Sequence, residues 1–224
     1  CNTYIYTMMK NTDIPTQLLH NEERKKIQGP AGFLEVGHSQ VALPTNQLLV
    51  CHPHPQYGGT MYNKVITTVV RLGQKKCMHT CRFNYRGVGE SEGVYDNATG
   101  EVEDSLAVAN WFLGQSNLAN LWLVGFSFGA YIAYQAANRL PVKGLILMAP
   151  AITRMDYNKV KEPSIPTWVI HGQEDELIAT DKVLEWSQGI RNCRETYIIP
   201  HASHFFHGRL GELTTYLDNV ISTS

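Results

Sequence analysis

Two rhythms of apolar residues take turns along this chain. Short runs dense in apolar residues recur at Gln47–Cys51, Met78–Tyr85, Leu121–Val124, Gly144–Ala149 and Thr167–Ile170, with an alternating run at Phe33–Val36 and a last one at Glu195–Ile199. Runs this short and this continuous read as strands, most of them buried on both faces. Between them lie stretches with apolar residues three and four apart, the spacing of a helix face. These predict helices over Met61–Gln74 (Val65, Ile66, Val69, Val70, Leu72), Glu101–Gly114 (Leu106, Ala109, Trp111, Phe112, Leu113), Phe128–Arg139, Thr180–Gly189 and Leu210–Ile221. Acids open the second of these, where the helix dipole is positive, and Pro141 closes the third. Strands alternating with helices at this spacing imply crossover units, hence an α/β protein with a mostly parallel central sheet and helices on both faces. Residues 1–28 are polar and weakly patterned and read as a poorly structured lead-in. Residues 29–224 read as a single domain, entered through the turn Gly29-Pro30-Ala31-Gly32.

The loops that follow strands hold the unusual residues. His52-Pro53-His54-Pro55-Gln56-Tyr57-Gly58-Gly59, Arg86–Gly93 and His171–Leu177 all leave strand ends. In open α/β sheets the carboxyl ends of the strands form the ligand crevice, so one edge collects the candidate chemistry. Its centre is Gly125-Phe126-Ser127-Phe128-Gly129, between an apolar strand and a helix. Strand, sharp turn and helix are the context in which Gly-x-Ser-x-Gly becomes a nucleophile elbow. Such a turn needs small flanking residues, which Gly125 and Gly129 supply, and it aims the Phe128 N–H at any negative charge forming beside the serine.

Composition removes several function classes. There are 19 basic and 20 acidic residues, and Arg24-Lys25-Lys26 is the longest basic run, so the footprint that nucleic-acid phosphates require is missing. No stretch approaches the roughly 20 apolar residues of a membrane-spanning helix. Residues Cys1–Lys10 do not read as a secretory signal. Five cysteines (Cys1, Cys51, Cys77, Cys81 and Cys193) are an odd number spread through apparent strands, which predicts reduced thiols and a cytoplasmic protein. His52-x-His54 together with His201, His204 and His207 invites a metal reading. With no carboxylate at ligand spacing beside the pair, and with an elbow that a metal would leave unexplained, neither metal nor other cofactor is expected.

A serine nucleophile needs a base, and the base an orienting acid. His171-Gly172-Gln173-Glu174-Asp175-Glu176 offers three acids, and Pro200-His201-Ala202-Ser203-His204-Phe205-Phe206-His207 offers three histidines. The order serine, acid, histidine is that of the α/β-hydrolases. His-Gly-x-x-Asp resembles the acid loop of that superfamily, which selects Asp175. Ser-His-Phe-Phe resembles its terminal histidine loop, which selects His204. The resemblance extends further: the segments 51–65 and 82–91 are similar to two signature loops of a small bacterial group of serine hydrolases related to dienelactone hydrolases and carboxylesterases. The chain departs from dienelactone hydrolases in carrying Ser127 where they carry a cysteine, so their activity is not transferred.

The resemblance implies an α/β-hydrolase fold and a serine esterase acting on small-molecule esters through an acyl-enzyme, with Ser127 as nucleophile, His204 as base and Asp175 as its orienting acid. A thioesterase or small-amide peptidase would use the same parts, and a catalytically inactive binding protein is the alternative of another class. Phe128 N–H would form half of the oxyanion hole. Proline has no N–H, so Pro53 and Pro55 are excluded as the other half. Position in the family loop favours His54, with Gln56 and Tyr57 as alternatives. Tyr57, Phe126 and Phe205 are candidates for lining an acyl pocket. Arg86 is better read as the partner of Glu101, Asp104 or another loop acid than as a substrate ligand. Fewer than 20 residues, Pro150–Pro166, lie where many relatives insert a cap domain, so no cap and an open site are expected, unless the second subunit of a homodimer forms a lid.

Overall fold

The computed structural model describes residues 21–118 and 120–222, so the reading of Cys1–Lys10 as no secretory signal, and most of the expected lead-in, lie outside the described residues. Among the described residues eight strands form one sheet: β1 (Glu22–Gly29), β2 (Gly32–Ser39), β3 (Gln47–Cys51), β4 (His79–Phe83), β5 (Leu121–Phe126), β6 (Val142–Met148), β7 (Thr167–Gly172) and β8 (Cys193–Ile199). Among the described residues four α-helices connect strands, α1 (Lys64–Lys75), α2 (Thr99–Leu113), α3 (Phe128–Ala136) and α4 (Thr180–Gln188), and α5 (Leu210–Ser222) follows β8. Across the sheet the order is β1-β2-β4-β3-β5-β6-β7-β8. The strands from β4 to β8 run parallel, and the β1–β2 hairpin is joined antiparallel to β4.

Alternation along each strand splits the core in two, because successive side chains point to opposite faces. Leu49, Leu123, Leu147 and Val169 pack on one side with α2, α3 and α4. Leu48, Val50, Trp122, Val124, Ile146 and Ile170 pack on the other with α1 and α5. Both faces are thus covered, which is why the central strands are apolar without a break. Helix α1 begins where the Asn63 side chain accepts the Val65 N–H at 2.9 Å, satisfying one of the donors a helix start leaves open.

The hairpin corrects one expectation. Residues 22–28, read from the sequence as lead-in, form β1, paired with β2 from Glu22↔Ser39 to Gly29↔Gly32. An edge strand shows most of its residues to solvent, so its sequence is polar, and only Glu22, Ile27 and Gly29 of this one are buried. Glu22 makes the attachment. Its carboxylate crosses β2 above Gly37, where an added Cβ would stand 2.7 Å from Oε1. It then receives the Arg82 guanidinium of β4 in two bonds, Nε–Oε1 at 2.7 Å and Nη2–Oε2 at 2.6 Å, with both side chains 1% exposed. Arg82 also donates to the Met61 carbonyl at 2.9 Å, which ties the start of the α1 segment to the same pair.

Removing one partner of such a pair strands a buried charge, whereas replacing both with apolar residues does not. Glu22→Ala is therefore expected to lose about 3–5 kcal/mol of unfolding free energy in urea titrations. The double variant Glu22→Leu/Arg82→Met is expected to regain most of that loss, and no recovery would mean the pair is not the attachment.

Candidate active site

The elbow is built as the residue types require. Between β5 and α3, Ser127 holds φ 56° and ψ −113°, a strained conformation for a residue with a side chain, worth about 1–3 kcal/mol. The Ser127 N–H is pinned to the Met148 carbonyl of β6 at 2.9 Å. A Cβ on Gly125 would overlap the Gly129 carbonyl oxygen, and one on Gly129 would overlap the Cys51 carbonyl oxygen at the end of β3. The two glycines let α3 descend onto two neighbouring strand ends at once. Phe128 is the first residue of α3, where an N–H has no partner within its helix.

Two further strand ends bring their loops to this turn. Asp175 follows β7 and His204 follows β8, and both are buried. The His204 Nε2 lies 2.9 Å from Ser127 Oγ, and its Nδ1 lies 2.7 Å from Asp175 Oδ2. The other carboxylate oxygen, Oδ1, accepts the N–H groups of Leu177 and Ile178, each at 2.8 Å. Burial alone would raise the Asp175 pKa. The His204 hydrogen bond and charge, with the Ile178 N–H and the nearby His171, outweigh it and hold the carboxyl below its usual range. An ionised Asp175 can only accept, so Nδ1 of His204 donates and Nε2 is left to accept the serine proton. The imidazole rests against the Phe126 ring at 5.5 Å, and the His204 backbone N–H donates to Glu176 Oε2 at 3.0 Å. Of the rival residues, Glu174 pairs with exposed His201 at 2.8 Å, and exposed His207 donates its backbone N–H to Ser203.

The loop after β3 is braced from below. His52 is fully buried and donates Nδ1–H to the Pro53 carbonyl at 2.7 Å, while its Nε2 accepts the Tyr85 N–H at 3.2 Å. Above it the His54 ring accepts the Gln56 N–H at Nδ1 (3.2 Å), meets Tyr95 Oη at Nε2 (3.3 Å) and lies 4.7 Å from the Phe128 ring. Both ring nitrogens of both histidines are spent inside the protein. The Gln56 N–H is committed to His54 Nδ1 and the Tyr57 N–H to the His54 carbonyl, at 3.1 Å. Of the three oxyanion candidates in this loop, His54 is left with a backbone N–H that bonds to nothing among the described residues. Arg86 grips Asp104 through Nε (2.9 Å) and Nη2 (2.7 Å), so it holds its loop to α2, as its structural reading expects.

Phe126 needs correction as a pocket residue. It is fully buried, because strand parity turns it to the α1–α5 face, where it packs under His204 and against Phe205 and Phe206. Phe205 is partly buried at that edge and Tyr57 is 54% exposed. Two contributors escaped the sequence reading. Glu176 was visible only as one of three acids in its run, and nothing local marks Tyr95, whose partner His54 lies 41 positions away.

A family profile for the alpha/beta hydrolase fold matches residues 49–164, over half of the chain. The chain belongs to the α/β-hydrolase family. A serine hydrolase homologue from Coxiella burnetii is 38% identical, with a TM-score of 0.83 over 91% of this chain and 99% of that one. XC6422 from Xanthomonas campestris, described as a serine hydrolase without a lid, is 36% identical with a TM-score of 0.83 over 90% and 94% of the two chains. An uncharacterized protein of Rickettsia prowazekii, RP471, is 31% identical over 87% of each chain. This α/β-hydrolase is lid-less in the same sense. Between β6 and β7 it has loops and a single 3-10 turn at Tyr157–Lys159.

Burial of His52 carries a cost at low pH. Desolvation, opposed in part by the Pro53 carbonyl, lowers its pKa to about 3, against 6.5 for a free histidine. The folded state therefore holds it neutral where the unfolded chain takes up a proton. The stability this contributes is complete above pH 6.5 and drains away as the pH falls toward 3, by about 2 kcal/mol at pH 5. Nitrogen NMR of the ring is expected to show a neutral Nδ1–H tautomer down to pH 5, and titration near 6.5 would refute the buried brace.

Proposed function

We propose that this α/β-hydrolase is a serine esterase that cleaves carboxylic esters of small acyl substrates by way of an acyl-enzyme. The observation that carries the reading is the unbroken relay from Ser127 Oγ to His204 Nε2 at 2.9 Å and from His204 Nδ1 to Asp175 Oδ2 at 2.7 Å, mounted on a positive-φ elbow. In the first half-reaction His204 Nε2 takes the serine proton as Oγ attacks the ester carbonyl. The oxyanion forms between the N–H groups of Phe128 and His54, and the protonated His204 gives its proton to the leaving alcohol. In the second half-reaction His204 deprotonates water, which attacks the acyl-serine, and the proton returns to Ser127 Oγ as the acid departs. Asp175 keeps Nδ1 as the donor throughout and stabilises the imidazolium.

Each oxyanion donor is worth about 3–4 kcal/mol of barrier, which makes the rigidity of the His54 loop part of the chemistry. Tyr57 and Phe205 border the open strand-end edge and supply its apolar surface. A thioester or a small amide would meet the same groups.

The test uses 4-nitrophenyl acetate. Ser127→Ala and His204→Ala are each expected to lower kcat by about 10⁴-fold or more. His201→Ala, which removes an exposed ring paired with Glu174, is expected to retain most of the activity. Equal losses in the two histidine variants would assign the base wrongly. Activity that survives Ser127→Ala and disappears with a chelator would replace the serine reading with a metal one.

A further inference from the structure

The acid of the relay has a second imidazole beside it, which the mechanism above does not use. His171, next to last in β7, is fully buried. Its Nε2 lies 3.0 Å from the Ile178 carbonyl oxygen and 3.6 Å from Asp175 Oδ2, the same oxygen that receives His204. A carbonyl only accepts, so Nε2 carries the proton. The other nitrogen, Nδ1, is buried and has no hydrogen-bond partner among the described residues. A proton there would be a buried donor with nothing to receive it, so the ring is held neutral in one tautomer.

These contacts close a triangle. Ile178 gives its N–H to Asp175 Oδ1 at 2.8 Å and its carbonyl to His171, so the loop that carries the carboxylate is tied back to the strand it leaves. Burial pulls the His171 ring below its ordinary value, and the Asp175 charge and the Ile178 carbonyl oppose this only in part. At 3.6 Å the Nε2–H is too far from Oδ2 for a hydrogen bond, but its positive end still bears on the charge that Asp175 presents to His204. The neighbouring acids have other duties: Glu176 takes the His204 backbone N–H, and Glu174 pairs with exposed His201. The rings of Phe126 and Phe205 flank the His204 imidazole, and Ser127 Oγ meets its Nε2.

Resting on the serine-esterase reading, we propose that His171 is a positioning residue of that reaction: its Nε2–H holds the Asp175 loop through the Ile178 carbonyl and offsets part of the carboxylate charge, so that His204 is firmly oriented yet only moderately basic. Two demands on one acid are separated in this way. Orientation needs the 2.7 Å bond between Asp175 and His204, which the tied loop fixes. An undiluted carboxylate would also favour the imidazolium, and an imidazolium cannot accept the serine proton. His171 itself gives up no proton at any step.

The test is the pH dependence of kcat/KM for 4-nitrophenyl acetate, whose acid limb reports protonation of the base in the free enzyme. His171→Phe keeps a ring and removes the N–H, which leaves Asp175 the stronger partner of His204, so the base takes its proton at a higher pH. The acid limb is expected to move up by about half a pH unit with KM unchanged, a fraction of the 1–3 units that a full neighbouring charge supplies. His171→Gln, whose amide N–H can reach the same carbonyl, is expected to return the limb toward the wild-type position. Nitrogen NMR of the wild-type protein is expected to show His171 neutral with its proton on Nε2, a readout that stands even if His171→Phe does not fold. An unmoved limb in folded His171→Phe, an equal shift in both variants, or a proton on Nδ1 would overturn the role of His171 while leaving the serine esterase standing. Wild-type activity that survives Ser127→Ala would overturn both.

Discussion

The structure depends on a contact that leaves no space for a side chain. Where α3 descends onto the sheet, Gly129 lies against the backbone carbonyls of Cys51 and His52, and Gly125 against the carbonyl of Gly129 itself. Any Cβ at these points would push the helix off the strands. With hydrogen there instead, the turn at Ser127 is squeezed into its positive-φ conformation, and the strain is held by the Met148 carbonyl on one side and the packing of α3 on the other. The same contact brings the start of α3, with its unfilled Phe128 N–H, beside the loop that follows β3. The serine turn, the start of α3 and the end of β3 are held together because their backbones touch.

Around that contact the polar groups divide into those that hold loops and those that face the opening. His52 spends both nitrogens joining the β3 loop to the β4 loop, Arg86 clamps the β4 loop to Asp104 of α2, and Tyr95 reaches back to His54. Glu176 and the Leu177 and Ile178 N–H groups do the same for the β7 and β8 loops. Ser127, only partly buried, is left toward solvent. Buried polar groups that are mutually satisfied rigidify a site, and their desolvated histidines make the fold sensitive to acid. Positioning and vulnerability have one origin.

Much of this was legible in the sequence because it is local. The elbow announces itself in five consecutive residues, and the parallel sheet in apolar runs that recur between helical periods. The acid and the histidine were narrowed to three candidates each by position, and only family likeness chose Asp175 and His204 among them. What could not be read depends on partners distant in sequence. The strand β1 looks like solvent-exposed polar chain because the partner of Glu22, Arg82, lies 60 residues on. Phe126, adjacent to the serine, faces the opposite side of the sheet, and adjacency in sequence is separation in space wherever side chains alternate. The preference for His54 over Gln56 and Tyr57 rested on family position, and what sequence could not show is that the Gln56 and Tyr57 N–H groups bond to the His54 ring and the His54 carbonyl.

The central claim is that Ser127, His204, Asp175 and two backbone N–H groups act on one carbonyl carbon. The most direct measurement is a crystal structure of the protein after reaction with an alkyl fluorophosphonate, whose tetrahedral phosphorus imitates the reacting carbon. The account predicts phosphorus bonded to Ser127 Oγ, with its phosphoryl oxygen within hydrogen-bonding distance of the backbone nitrogens of Phe128 and His54. An adduct on another residue, or one on Ser127 with that oxygen turned to solvent, would contradict it.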